Sequence, residues 1–266
     1  MAEPTIDTHA HVFHRGLTLA TGRRYTPGYD APLEAYLEQL DHNGLSYGVL
    51  VQPSFLGTDN SYLLDCLRRA PQRLRGVAVI DPAATHDRLL EMAEAGVVGI
   101  RLNLVGRPIP DFGGSDWGPL LEQIGRLEWH VEVQRDASGL AAILPGLLDA
   151  GVSVVVDHFG LPDPVAGACD LGFQQLLEFG RSRQVWVKLS APYRLGPDSA
   201  RLASTLCPWL RGAFGLKRLM WGSDWPHTQF EGTENYEDGY RRFADLIGSD
   251  EETGAILTSP RNLFGF

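Results

Sequence analysis

Residues 97–160 read VVGIRLNLVGRPIPDFGGSDWGPLLEQIGRLEWHVEVQRDASGLAAILPGLLDAGVSVVVDHFG. Three short runs rich in β-branched residues, VVGIRLN, HVEVQRD and VSVVVDHFG, are separated by two longer amphipathic segments. In WGPLLEQIGRLEW and SGLAAILPGLLDAG the apolar residues recur at three- and four-residue intervals, the period of a helix with one buried face. The second ends in Gly, a common helix stop. Strands joined by helical crossovers of this length lie parallel. Working outward, the same alternation continues in both directions. TIDTHAHV, YGVLVQPS and GVAVID precede the stretch, VWVKLSA and LMWGSDWP follow it, and helix-like segments such as DNSYLLDCLRRA and DSARLASTLCPWLRGAF lie between. Eight strands alternating with helices predict an α/β fold, a single-domain (β/α)8 TIM barrel over residues 1–266. The rival, a doubly wound sheet, would carry G-x-G-x-x-G after its first strand, and that turn is absent.

Composition narrows the function. The chain has 266 residues, 44% hydrophobic and 21% charged, the balance of a globular protein with a sizeable core. A net charge of −10 argues against a nucleic-acid partner, which needs a basic surface. It leaves room for an anionic small molecule, because a few arginines can set the field inside one cleft. Cys66, Cys169 and Cys207 form no C-x-x-C pair and fall on or beside predicted helices, so a reducing, cytoplasmic location is expected. MAEPTIDTHAHV lacks the basic and apolar regions of a signal peptide, and no apolar run reaches the roughly 18 residues of a membrane span. Oligomeric state is not readable.

In a barrel of this class the chemistry sits at the C-terminal strand ends. That rule collects His9 and His11, Ser54, Asp81, Arg101 with Asn103 and Arg107, Gln134, His158, Ser190 with Arg194, and Asp224. Alone, each has an ordinary reading: a satisfied structural histidine, a turn-capping aspartate, a solvated arginine. Together they converge on one cleft, and burying them unpaired would cost several kcal/mol each, by order of magnitude. Residues 14–30, HRGLTLATGRRYTPGYD, form a long excursion after the first strand, a length usually tied to function. Trp225 is the tryptophan expected to face the cleft. Deeper in the barrel, strand parity sends Asp7, Glu132 and Lys188 inward, with Glu132 and Lys188 close enough to pair.

The H-x-H of His9 and His11 raises a metal question. A binuclear site needs a bridging carboxylate or modified lysine from strand four, and that strand offers Arg101 and Asn103. Strand five gives Gln134, a poorer zinc ligand than imidazole. His9, His11, His158 and Asp224 remain, a set that could hold one ion and could equally work without one.

The segments DTHAHVF, VQPSFLGTDN, GIRLNLVGR, VVDHFG, KLSAPYR and WGSDWPH together resemble the 2-pyrone-4,6-dicarboxylate lactonase branch of the amidohydrolase superfamily, from residue 5 to about residue 230. H-x-H and G-S-D-W-P mark only the superfamily; R-x-N-x-x-x-R with Q-P-S and Y-R is more specific. The resemblance implies hydrolysis of a carboxylated lactone in aromatic-acid catabolism, with no required metal. A single zinc or manganese ion at His9, His11 and Asp224 is the alternative. The resemblance assigns water activation to Asp224 and carbonyl polarisation to His9, His11 and His158. Arg101, Arg107, Arg194, Ser54 and a loop tyrosine, Tyr25 or Tyr29, would hold the substrate carboxylates. Gln134 stands where that lactonase carries a tyrosine, which keeps a sugar-acid (aldono) lactonase as an alternative. A mononuclear-metal decarboxylase is a third reading, and a non-catalytic anion-binding barrel a fourth.

Overall fold

The computed structural model describes residues 3–266. Eight parallel strands follow one another around a single sheet in chain order: β1 (Ile6–Ala10), β2 (Tyr47–Val51), β3 (Leu74–Ala78), β4 (Val97–Asn103), β5 (His130–Gln134), β6 (Ser153–Val156), β7 (Val185–Ser190) and β8 (Leu219–Gly222). The ring closes between β8 and β1. There the Asp224 amide donates to the His9 carbonyl at 2.8 Å and the His11 amide to the Trp225 carbonyl at 2.7 Å. The helices are α1 (Leu33–His42), α2 (Ser61–Arg69), α3 (His86–Glu94), α4 (Trp117–Arg126), α5 (Ala137–Asp149), α6 (Leu171–Glu178), α7 (Ser199–Phe214), α8 (Tyr236–Ile247), α9 (Asp250–Thr258) and α10 (Arg261–Phe264). This is the expected single-domain (β/α)8 barrel. Among the described residues no helix is long and apolar enough to cross a membrane.

Alternation along the strands divides the core in two. Outward-facing Leu50, Ile100, Leu102, Val131, Val133, Val154 and Val156 join Leu63, Leu67, Leu120, Ile124, Leu140 and Ile143 of the helices in one continuous apolar layer. Each such side chain contributes about 1.5–3 kcal/mol when fully buried. Inside the ring, Ile6, Val49, Val51, Val77, Val155 and Met220 fill one end together with Phe264 of α10. Above that plug the interior turns polar: Glu132, Lys188, Asp157 and Arg101 are all buried. Lys188 Nζ lies 2.6 Å from Glu132 Oε1, the pairing that strand parity predicts.

Asp7 departs from the expectation. Its carboxylate accepts from the hydroxyls of Tyr36 in α1 (3.1 Å), Tyr236 in α8 (2.9 Å) and Ser223 (2.7 Å), so it points out among the helices. The cause is an irregularity in β1: Asp7 pairs with Gly48 but Ala10 with Leu50, three steps against two. An extra residue of this kind reverses the parity beyond it. Ile6 therefore faces in, Asp7 out, and His9 in again. Strict alternation read from the sequence has no means of placing that slip.

Candidate active site

A cavity of about 350 Å³ opens at the C-terminal end of the barrel, a size suited to a small ligand. Its walls include His11, Ser54, Arg101, Gln134, His158, Arg194 and Asp224, with Arg24 and Tyr25 reaching in from the excursion after β1. Two of these side chains owe their direction to backbone that no glycine announces. His158 (φ 52°) follows β6, and Asp224 (φ 58°) follows β8, both in the left-handed region. Conformations of this type cost of order 1–3 kcal/mol and concentrate at functional sites. Here they let Asp157 and His158, adjacent in sequence, serve the same interior.

The two oxygens of Asp224 have different surroundings. Oδ2 accepts from the Tyr193 hydroxyl at 2.7 Å and from Arg194 Nε at 2.8 Å. Oδ1 faces His11 Nε2 at 3.3 Å and His9 Nε2 at 3.5 Å. Burial works to raise the Asp224 carboxyl, but the Arg194 guanidinium beside it overcomes this and holds the group well below the usual carboxylate range. Asp224 thus favours the ionised form, with Oδ1 the oxygen not held by Arg194 and Tyr193.

Each histidine is fixed through its other nitrogen. His11 Nδ1 lies 2.7 Å from the Val51 carbonyl and His158 Nδ1 2.8 Å from Ser190 Oγ. His9 Nδ1 lies 3.0 Å from Lys188 Nζ. Burial, reinforced for His9 by the charge of Lys188, pushes His9 down to about 4 and His158 down to about 3, so both are neutral at neutral pH. His9 is fully buried and lies beneath His11 and Asp224 rather than on the cavity wall. His9 Nε2 and His158 Nε2 have no hydrogen-bond partner among the described residues.

The arginines divide into committed and free. Arg101 donates to Asp157 Oδ2 at 3.2 Å and to Gln134 Oε1 at 2.7 Å. Arg194 is bound to Asp224 at 2.8 Å and also lines the cavity, so it neutralises that carboxylate while still facing the cleft. Arg107 is exposed and absent from the cavity wall; it lines an adjoining hollow that shares Ser54, Arg101 and Asn103. Arg24, which the sequence reading passed over, donates to Asn103 Oδ1 at 3.2 Å and presents its charge to the cleft. Of the two loop tyrosines, Tyr25 lines the cavity and donates to Glu231, whereas Tyr29 packs on Phe13, ring centroids 5.4 Å apart. Trp225 also fails to face the cleft and stacks on Tyr36 at 5.5 Å. Asp157 and Tyr193 were missed as well. Asp157 had a signal, since it shares the inward parity of Val155; Tyr193 follows β7 in a turn whose direction the sequence does not disclose.

The cleft thus joins a buried carboxylate and three histidines to walls that carry arginines. The amidohydrolase family pattern matches residues 6–266, and the chain belongs to that family. It is similar to a 2-pyrone-4,6-dicarboxylate hydrolase of Comamonas testosteroni, 34% identical over 85% of this chain and 78% of the relative. A 4-sulfomuconolactone hydrolase of Hydrogenophaga intermedia is 29% identical over 97% of this chain and 88% of the relative. Among solved structures, a probable 2-pyrone-4,6-dicarboxylic acid hydrolase from Acinetobacter baumannii, with citric acid bound, is 39% identical. It covers 98% of this chain and 99% of its own, with a TM-score of 0.95.

Proposed function

We propose that this protein is a carboxylic-ester hydrolase that opens the ring of a carboxylated lactone, of the class of 2-pyrone-4,6-dicarboxylate. The observation that carries the reading is a buried Asp224, one oxygen on Arg194 and the other turned to the histidines, in a cleft walled by Arg24, Arg101 and Arg194. The names of the lactone-hydrolysing relatives support the enzyme class, and a relative that binds a tricarboxylate supports an anionic ligand.

In this reading Asp224 Oδ1 takes a proton from water as the water oxygen attacks the lactone carbonyl. His11 and His158 face the carbonyl from the cavity wall. Arg101 adds fixed positive charge for the developing oxyanion, a stabilisation that is strong in a water-poor site. The ring C–O bond then breaks, and the proton held by Asp224 passes to the leaving oxygen. The remaining guanidinium groups suit carboxylates, whose two oxygens they can bind in one plane.

A divalent ion is not required in this scheme. His9, His11 and Asp224 lie close enough to hold one, as do His9, Asp157 and His158. The donor chemistry around them does not fit: Lys188 sits on His9, Arg101 on Asp157 and Arg194 on Asp224, so each set already has a cation on it. Adding a divalent cation there would meet strong repulsion at low dielectric.

A sugar-acid lactonase is the second reading, favoured by Gln134, whose side-chain amide suits a hydroxyl. A panel of lactones separates the two. Two charge-assisted hydrogen bonds of about 1.5–3 kcal/mol each give a dicarboxylated lactone a kcat/KM advantage of roughly 10²-fold or more. Equal kcat/KM for neutral sugar lactones would contradict the carboxylate reading.

A further inference from the structure

We propose that Lys188 is a positioning residue that holds His9 as its Nε2–H tautomer, so that the nitrogen facing Asp224 carries a proton and has no lone pair for a metal. Lys188 is fully buried, and its Nζ has three neighbours: Glu132 Oε1 at 2.6 Å, His9 Nδ1 at 3.0 Å and Asp157 Oδ1 at 3.5 Å. An ammonium group donates only, so His9 Nδ1 accepts. A neutral imidazole has one ring proton, and with Nδ1 accepting it resides on Nε2. That nitrogen is the one 3.5 Å from Asp224 Oδ1.

His11, two residues on, is set the opposite way. Its Nδ1 lies 2.7 Å from the Val51 carbonyl, which can only accept, so the Nδ1 proton is fixed there. The two histidines of one H-x-H motif are therefore not equivalent. A metal-bound histidine usually donates its second ring N–H to a carboxylate or carbonyl, which is the arrangement of His11. At His9 the Lys188 ammonium takes that place at 3.0 Å from Nδ1, nearer than the Asp157 carboxylate oxygen at 3.4 Å. To ligate through Nε2 it would have to give up its only ring proton or displace Lys188, and displacing Lys188 would strand Glu132.

The inference deepens the metal-free reading above, but its test reads neither turnover nor substrate, so the two fail separately. In protein labelled with ¹⁵N-histidine, long-range proton–nitrogen correlation spectra at neutral pH report which ring nitrogen carries the proton. His9 is assigned by the signals lost in His9→Gln. The expected pattern is Nε2 protonated and Nδ1 bare for His9; a protonated Nδ1 on His9 overturns the proposal. The second measurement is zinc affinity, by competition with a chromogenic chelator, for the wild type and for Lys188→Met/Glu132→Gln. The double variant removes the ammonium and its carboxylate partner together. Release of His9 should tighten zinc binding by roughly 10–100-fold, the scale on which outer partners of a histidine ligand act. Adding His9→Gln should abolish that gain. Equal zinc affinity in wild type and a folded double variant overturns the proposal. If the double variant does not fold, the wild-type spectra still decide.

Discussion

At Asp224, one carboxylate oxygen is occupied by Tyr193 and Arg194 while the other faces the cleft histidines, and residue-scale predictions follow from that division. Asp224→Asn keeps the shape and removes the proposed base, so kcat should fall by roughly 10²–10⁴-fold with substrate binding retained. Near-normal kcat would show that another group activates water. Arg194→Met tests the pH dependence. Asp224 has its pKa depressed, so the active, ionised form is present at neutral pH and is lost as pH falls through that depressed value. Removing the Arg194 charge raises the Asp224 pKa, which moves the acid limb of the kcat/KM profile to higher pH. An unmoved acid limb would mean that Arg194 acts on substrate alone. Arg24→Met should cost a carboxylated lactone about 1–2 kcal/mol in kcat/KM, its partly exposed charge being screened by solvent. Arg107→Met, on the exposed side of the adjoining hollow, should cost less.

The elements themselves were largely legible in the sequence, because eight β-branched runs separated by helical periodicity admit few other arrangements. Inward placement of Glu132 and Lys188 followed from parity and held. Asp7 did not, because the irregularity in β1 leaves no mark in residue type. His158 and Asp224 were found at their strand ends, but their left-handed backbone was not, since neither position is a glycine. The pairing of Arg194 with Asp224 was not legible, because a sequence shows charges and not their partners. The contact between β8 and β1 gives a prediction at this scale. A Cβ on Gly222 would lie 2.5 Å from His9 Cβ and 2.9 Å from His9 N, too close to backbone to relax cheaply. Gly222→Ala should therefore destabilise by roughly 1–3 kcal/mol in urea unfolding, the scale of overpacking a core. It should also disturb the site, through the shift it forces on His9. Unchanged stability would show that β1 and β8 can part without cost.

At the scale of the whole molecule, an acidic chain gathers cations at one end of its barrel. Lys188, Arg101 and Arg194 sit on the buried carboxylates and on His9, and Arg24 closes over them from the excursion after β1. In the proposed mechanism these side chains, with Asp224 and the histidines, supply the charge and the proton transfers that ring opening needs. Ultraviolet loss of 2-pyrone-4,6-dicarboxylate, followed before and after exhaustive chelation and set beside the metal content of the same samples, tests it most directly. Metal-independent ring opening gives an unchanged rate with less than one metal ion per chain. Loss of the rate on chelation, restored by stoichiometric zinc or manganese, would contradict it.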